Sequence, residues 1–190
     1  MKKNTFGILL SIILIINFSA CDKEKIIKEE PTKTLIVGDF YQGGVIAYIF
    51  QVGDSRYIKN EIHGIIADTL DIGTTAFWGC EPKNIGTGRG LGLGSANTDS
   101  IVIHCTAPGI AAKICSDYSG QGFSDRFLPS TDELIKLYLI RNVIGNFQSA
   151  GYWSSSELSF GNANFIVFSN GYEGNTSKMQ DYRVRAVRYF

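Results

Sequence analysis

The sequence predicts an α+β fold of antiparallel strands, two main helices and long loops. Two observations lead there. Short β-branched or alternating runs occupy both ends of the domain, and helical spacing is confined to the stretch between them. That order suits segregated helices and strands, not a doubly wound parallel sheet. The 190 residues also combine 21 Gly with 12 Phe, 9 Tyr and 2 Trp beside only 4 Pro. Such a balance favours short strands joined by tightly turning loops over a helical bundle.

Taken in order, Val45-Ile46-Ala47-Tyr48-Ile49-Phe50 lies between Gly43-Gly44 and Gly53-Asp54 and reads as a buried strand, with Gly64-Ile65-Ile66-Ala67 as its hairpin partner. Residues 79–99 carry few large apolar groups, and Gly stands at every second position from Gly86 to Gly94. This segment is expected to be a flexible, exposed loop. A helix follows from about Pro108 to Tyr118, with Ile110, Ala111, Ile114, Cys115 and Tyr118 along one face. The next begins at Ser130-Thr131-Asp132-Glu133, a capping box in which Ser130 and Glu133 satisfy each other's amides. Leu134, Leu137, Tyr138 and Arg141 continue it as an i, i+3, i+4, i+7 ridge, and a weaker helical segment covers Asn97–Ile103. Three antiparallel strands close the chain at Tyr152-Trp153, Asn164–Phe168 and Arg183–Tyr189. In the last, Val184 and Ala186 alternate with Arg183 and Arg185, the pattern of a half-buried strand.

The N-terminus is a targeting signal by pattern. Met1-Lys2-Lys3 precedes an apolar stretch from Phe6 to Phe18, too short for a membrane span of about 20 apolar residues and suited to a secretory h-region. It ends in Phe18-Ser19-Ala20-Cys21, which resembles a bacterial lipobox. The expected organisation is a signal peptide over 1–20, a lipidated Cys21 with a charged tether over 21–37, and one domain over 38–190. The acyl chains would anchor the protein to the membrane. Charged residues directly after Cys21 resemble signals that sort some lipoproteins to the outer surface, so the expected location is the outer membrane or cell surface.

Charge and motifs narrow the function. The whole chain balances 18 basic against 18 acidic residues, and residues 38–190 hold 12 against 14. That domain lacks the basic excess that nucleic-acid binding demands. The Gly86–Gly94 run contains neither G-x-G-x-x-G nor G-x-x-x-x-G-K-[ST]. No G-x-S-x-G elbow exists, and Ser154-Ser155-Ser156 is expected to bond backbone. Cys80, Cys105 and Cys115 lack metal-ligand spacing, so no metal and no cofactor is expected. In an exported chain a disulfide is the stronger reading. Cys115 sits on an apolar helical ridge and suits a buried thiol, which leaves Cys80–Cys105 as the pair bracing the Gly-rich segment.

Nine stretches in order resemble a known family. They include Gly43-Gly44-Val45-Ile46-Ala47-Tyr48, Trp78-Gly79-Cys80, Gly122-Phe123-Ser124-Asp125, Leu128-Pro129-Ser130-Thr131-Asp132-Glu133-Leu134, Tyr152-Trp153-Ser154-Ser155-Ser156-Glu157 and Val184-Arg185-Ala186-Val187-Arg188. Over about residues 38–190 the chain resembles the Lcl C-terminal type domain, found in bacterial surface lipoproteins and at the end of collagen-like adhesins. The resemblance implies a C-type-lectin-like fold, with a core under long loops that present a ligand surface. Arg126 stands where that family usually has Trp. The same fold also hosts formylglycine-generating enzymes, which bind copper through a late cysteine pair; no cysteine follows Cys115 here.

A non-catalytic surface lipoprotein that binds a glycan or a surface protein is therefore the leading expectation, with an envelope assembly component as the alternative. Asn side chains share hydrogen bonds with sugar hydroxyls and aromatic faces stack on sugar rings. The candidate contacts are Arg89, Asn97, Arg126, Asn162, Asn164, Tyr172 and Asn175, all on expected loops or strand ends.

Overall fold

The strand-forming ends of the domain are shared between two sheets, and its helices fill the spaces beside them. The computed structural model describes residues 34–190. The expected signal peptide, Cys21 and the tether up to residue 33 lie outside the described residues. The elements are β1 (Phe40–Tyr41), β2 (Gly44–Ile49), β3 (Gly64–Ala67), β4 (Gly73–Ala76), α1 (Gly94–His104), α2 (Ala111–Asp117), α3 (Thr131–Leu139), α4 (Arg141–Ile144), β5 (Gly151–Glu157), β6 (Asn162–Val167), β7 (Glu173–Ser177), β8 (Tyr182–Val184) and β9 (Val187–Tyr189). One sheet has the order β1-β2-β3-β9, the other β4-β8-β5-β6-β7.

The β-branched run at 45–50 forms β2, and Gly64–Ala67 pairs with it antiparallel, as the hairpin reading requires. Both sides of β5 are covered. Trp153 enters a core with Trp78, Ile101, Ala111, Ala112, Cys115 and Leu128, filled from α1 and α2. Its neighbour Tyr152 points the other way, into a core with Ile65, Leu134, Leu137, Ile166 and Val187, filled from α3 and the first sheet. The two indoles tie the end of β4 to β5. Trp153 Nε1 donates to Ala76 O and Trp78 Nε1 to Ser154 O, each at 2.8 Å, so neither buried ring carries an unmet donor.

The capping box forms as read: Ser130 N donates to a Glu133 carboxylate oxygen at 2.8 Å, and Ser130 Oγ accepts from Glu133 N. Three other elements differ from the sequence reading. The helix it opens stops at Leu139, and Arg141 begins the separate turn α4. The weak segment at Asn97–Ile103 belongs to the longest helix among the described residues, α1, which starts earlier at Gly94. Most consequential, Arg183–Tyr189 is not one antiparallel strand. It divides at Arg185-Ala186 into β8, which lies parallel to β5 and antiparallel to β4, and β9, which joins β3 in the other sheet. Val184, Ala186 and Val187 are buried in either sheet, so the apolar pattern does not register the switch. Nor is the strand half-buried in the expected sense, because Arg185 is itself 1% exposed.

Cys80 and Cys105 form a disulfide, with Cα atoms 5.2 Å apart, and Cys115 is a buried free thiol. The bond ties the loop after β4 to the C-terminal cap of α1. Closing a separation of 25 residues restricts the unfolded chain by about 3 kcal/mol in the chain-entropy account. Replacing both cysteines by Ala should therefore lower the unfolding free energy by about 3 kcal/mol, measured by urea titration of the non-reduced protein. An equal stability would show that the bond constrains nothing.

Candidate functional site

Strand register assembles a polar shelf on one face of β5–β6–β7. Asn164 lies opposite Asn175, Asn162 opposite Ser177 and Ile166 opposite Glu173. Alternation then places Asn162, Asn164, Glu173, Asn175 and Ser177 on the same face as buried Ile166. This is the α3 side: Ser154 Oγ donates to Asn164 O at 2.9 Å, and Asn164 Nδ2 reaches Thr131 Oγ1 at 3.4 Å. Arg89 closes the rim from the Gly-rich loop. Its Nε and Nη2 donate to Asp132 Oδ1 at 3.1 and 2.9 Å, and its Nη1 to Glu173 Oε1 at 2.8 Å. The bonds to Glu173, then to Asp132, push the Arg89 pKa up and fix its charge. The rim joins loop, helix N-terminus and edge strand, and it is exposed to solvent.

The loop carrying Arg89 is not flexible. Its surrounding carboxylate, hydroxyl and amide groups claim its backbone almost residue by residue. The Glu157 carboxylate accepts from Ile85 N at 2.8 Å and Gly86 N at 2.6 Å, and pairs with Lys178 in a site where both side chains are buried. Lys178 Nζ also donates to Lys83 O and Phe160 O and lies 4.7 Å from the centre of the Trp78 ring. Thr87 Oγ1 donates to Ser155 O and accepts from Glu157 N. Asn97 bonds both backbone groups of Gly88, while Gly92 N donates to Glu133. Gly94 is required by space: a Cβ there would overlap the Glu133 carboxylate and the Phe127 ring.

The seven expected contacts separate accordingly. Arg89, Asn164 and Asn175 come together on the shelf, and Asn162 lies one cross-strand pair further along. Tyr172 is exposed but packs beside Phe165, whose side chain occupies the opposite face of β6. Two candidates are corrected. Asn97, 5% exposed, is the inner brace of the Gly88 turn. Arg126, 3% exposed, lies against Asp68 with Nη2 to Oδ1 at 2.8 Å, and Nη2 also donates to Gly43 O and Gly120 O. Asp132 and Glu173 belong to the shelf and were missed; the buried Thr131 and Ser154 brace it from beneath. Asp132 was readable only as a helix-start residue, and Glu173 had no signal because β7 lacks apolar alternation.

No surface patch forms from Arg183, Arg185 and Arg188. Arg183 and Arg185 both pair with Asp71, while Arg188 pairs with Asp125 elsewhere. Arg188 holds the Asp125 carboxyl below its ordinary range. Among the described residues, no group of three His, Cys, Asp or Glu side chains is placed to hold a metal ion. Burial pushes the Cys115 thiol well above its ordinary pKa, which keeps it protonated and a poor nucleophile. No helix in the described region is long and apolar enough to cross a membrane. The sequence matches no known protein family and no curated protein.

Asp68 Oδ2 and Arg126 Nε and Nη1 have no hydrogen-bond partner, so this buried pair is under-satisfied. Burial raises the Asp68 pKa to about 6 against the opposing pull of Arg126 and Arg185. Between about pH 4 and 6 the folded chain then keeps a proton that the unfolded chain has released, and stability falls as pH rises. Asp68→Asn should remove that slope, read as the difference in Tm from the parent across pH 4–7. Arg126→Met, which strands the acid at pH 7, should cost about 3–5 kcal/mol. Parallel Tm profiles for parent and Asp68→Asn would refute the assignment.

Proposed function

We propose that this chain is a cell-envelope lipoprotein, lipidated at Cys21, whose domain is a non-catalytic binding module of C-type-lectin-like fold and Lcl C-terminal type. The observation that carries the reading is the shelf of Asn164, Asn175, Arg89, Asp132 and Glu173. It is exposed, rich in paired donors and acceptors, and set on strands and a braced loop, so its geometry is held before any ligand arrives. Side-chain amides and carboxylates of this kind share hydrogen bonds with the hydroxyls of a glycan or the polar face of a protein. The return of β9 to β3 brings both ends of the domain into one sheet, and this supports the lectin-like reading of the architecture. Outer-membrane or cell-surface adhesion follows from combining this shelf with the lipid anchor.

One observation favours the alternative, an assembly component of an envelope complex. Leu158 and Phe160 on the β5–β6 turn and Met179 on the β7–β8 turn are more than half exposed, and Lys178 N to Gly161 O joins the two turns. Exposed apolar side chains gathered this way suit a protein partner.

The full chain displayed on a glycan array and on extracted matrix tests the first reading. Saturable binding should fall at least tenfold in Asn175→Arg, a surface change that fills the shelf without touching the core. Uniform absence of binding, together with a stoichiometric partner on co-purification, would establish the assembly role instead.

A further inference from the structure

The geometry points to a second ligand site, lined by residues other than those of the shelf, that takes a small aromatic carboxylate. The site is an open pocket of about 470 Å³ between the β2–β3 connection and β9, a size within the usual range for small-molecule sites. Phe50, Tyr57, Ile58, Tyr189 and Phe190 supply its apolar walls, and Arg56 stands among them. The Phe50 and Tyr189 rings are 5.9 Å apart and tilted, so the walls present ring faces and edges to one cavity.

Arg56 makes the pocket selective. Arg89, Arg126, Arg183, Arg185 and Arg188 each have a carboxylate partner. Among the described residues no carboxylate lies within ion-pair distance of Arg56. Its guanidinium is nonetheless oriented: it stacks 3.9 Å from the centre of the Tyr189 ring, and its Nε donates to Gly92 O at 3.3 Å. Ser55 Oγ to Leu91 O, at 2.8 Å, holds the same loop from the neighbouring residue. The Arg56 side chain also hydrogen-bonds the Tyr189 hydroxyl. A guanidinium has five N–H donors, so these contacts leave donors that can bind a carboxylate through two hydrogen bonds. His63 does not compete for that role. Its Nδ1 lies 3.1 Å from Phe190 O and its Nε2 2.8 Å from Glu61 Oε2, so both nitrogens are engaged in the wall.

A ligand satisfying both features has a planar ring for the aromatic and Ile58 walls and a carboxylate for Arg56. Either feature alone is weaker: a bare anion leaves the walls wet, and an uncharged ring leaves the guanidinium in water. The other cavity of similar size, beside α4, is lined mainly by polar groups, and its Arg141 already donates to Tyr138 O.

Phenylacetate is the probe. Titrated against the full chain in lipid nanodiscs, with empty discs as the blank, it should give saturable saturation-transfer NMR signals with a Kd on the order of 1 mM, as fits so small a ligand. Phenylacetamide, the uncharged analogue, should bind at least tenfold more weakly. Arg56→Ala should lose binding at least tenfold. Ile58→Glu, at an exposed wall position, should do the same while leaving Tm unchanged, which separates a lost site from a lost fold. The site is refuted by unsaturable signals, by equal binding of the amide, or by unaltered binding in the two variants.

Discussion

The Glu133 carboxylate is the point on which the rest of this domain hangs. Fully buried, it accepts from Ser130 N, Gly92 N and the Tyr189 hydroxyl, and Gly94 supplies a further backbone bond. Three segments distant in sequence therefore meet at two oxygen atoms: the start of α3, the Gly-rich loop where it runs into α1, and the final strand. Burial raises the pKa of this carboxyl, and the donors around it pull the other way. Tyr189 responds to the same contact, its hydroxyl driven upward first by burial and then by the adjacent acid. A carboxylate buried without such donors would be strongly destabilising. Surrounded by them it holds these segments in register, because moving any one of them leaves a buried oxygen short of a donor.

The same logic repeats on a smaller scale around the core. Lys178–Glu157, Arg126–Asp68 and Arg185–Asp71 each remove a cation and an anion from the surface together. Such pairs contribute little net stability, since desolvation offsets attraction, yet losing one partner is costly. Their effect here is positional. Glu157 and Lys178 hold the 83–86 segment against the β5–β6 turn, and Asp71 gathers Arg183 and Arg185 where the chain leaves one sheet for the other. A domain with nearly balanced charge thus uses much of that charge internally, and the exposed remainder includes the rim of Arg89, Asp132 and Glu173.

How far the sequence could be read depends on the range of the interactions involved. The Ser130–Glu133 capping box, the 45–50 strand with its partner at 64–67, and the Cys80–Cys105 pair rest on local spacing or on simple elimination among a few residues. These are visible in one dimension. Arg183–Tyr189 shows the limit: alternation identified extended chain, but nothing in it marks the change of sheet at Arg185-Ala186. The Gly86–Gly94 loop shows another limit, because glycine reports backbone freedom, whereas the groups that remove that freedom lie far away. Glu157 reaches Ile85 across 72 residues.

By itself, then, the sequence determined the α+β class, the helix start at Ser130, the cysteine pairing and the residue types available for binding. Tertiary structure decided which of those residues face outward. Asn97 and Arg126 are candidate surface contacts in the chain and interior braces in the fold, while Asn164 and Asn175 become neighbours only through the β6–β7 register. The physical reason is that side-chain periodicity states which residues share a face, but only packing states which face is covered.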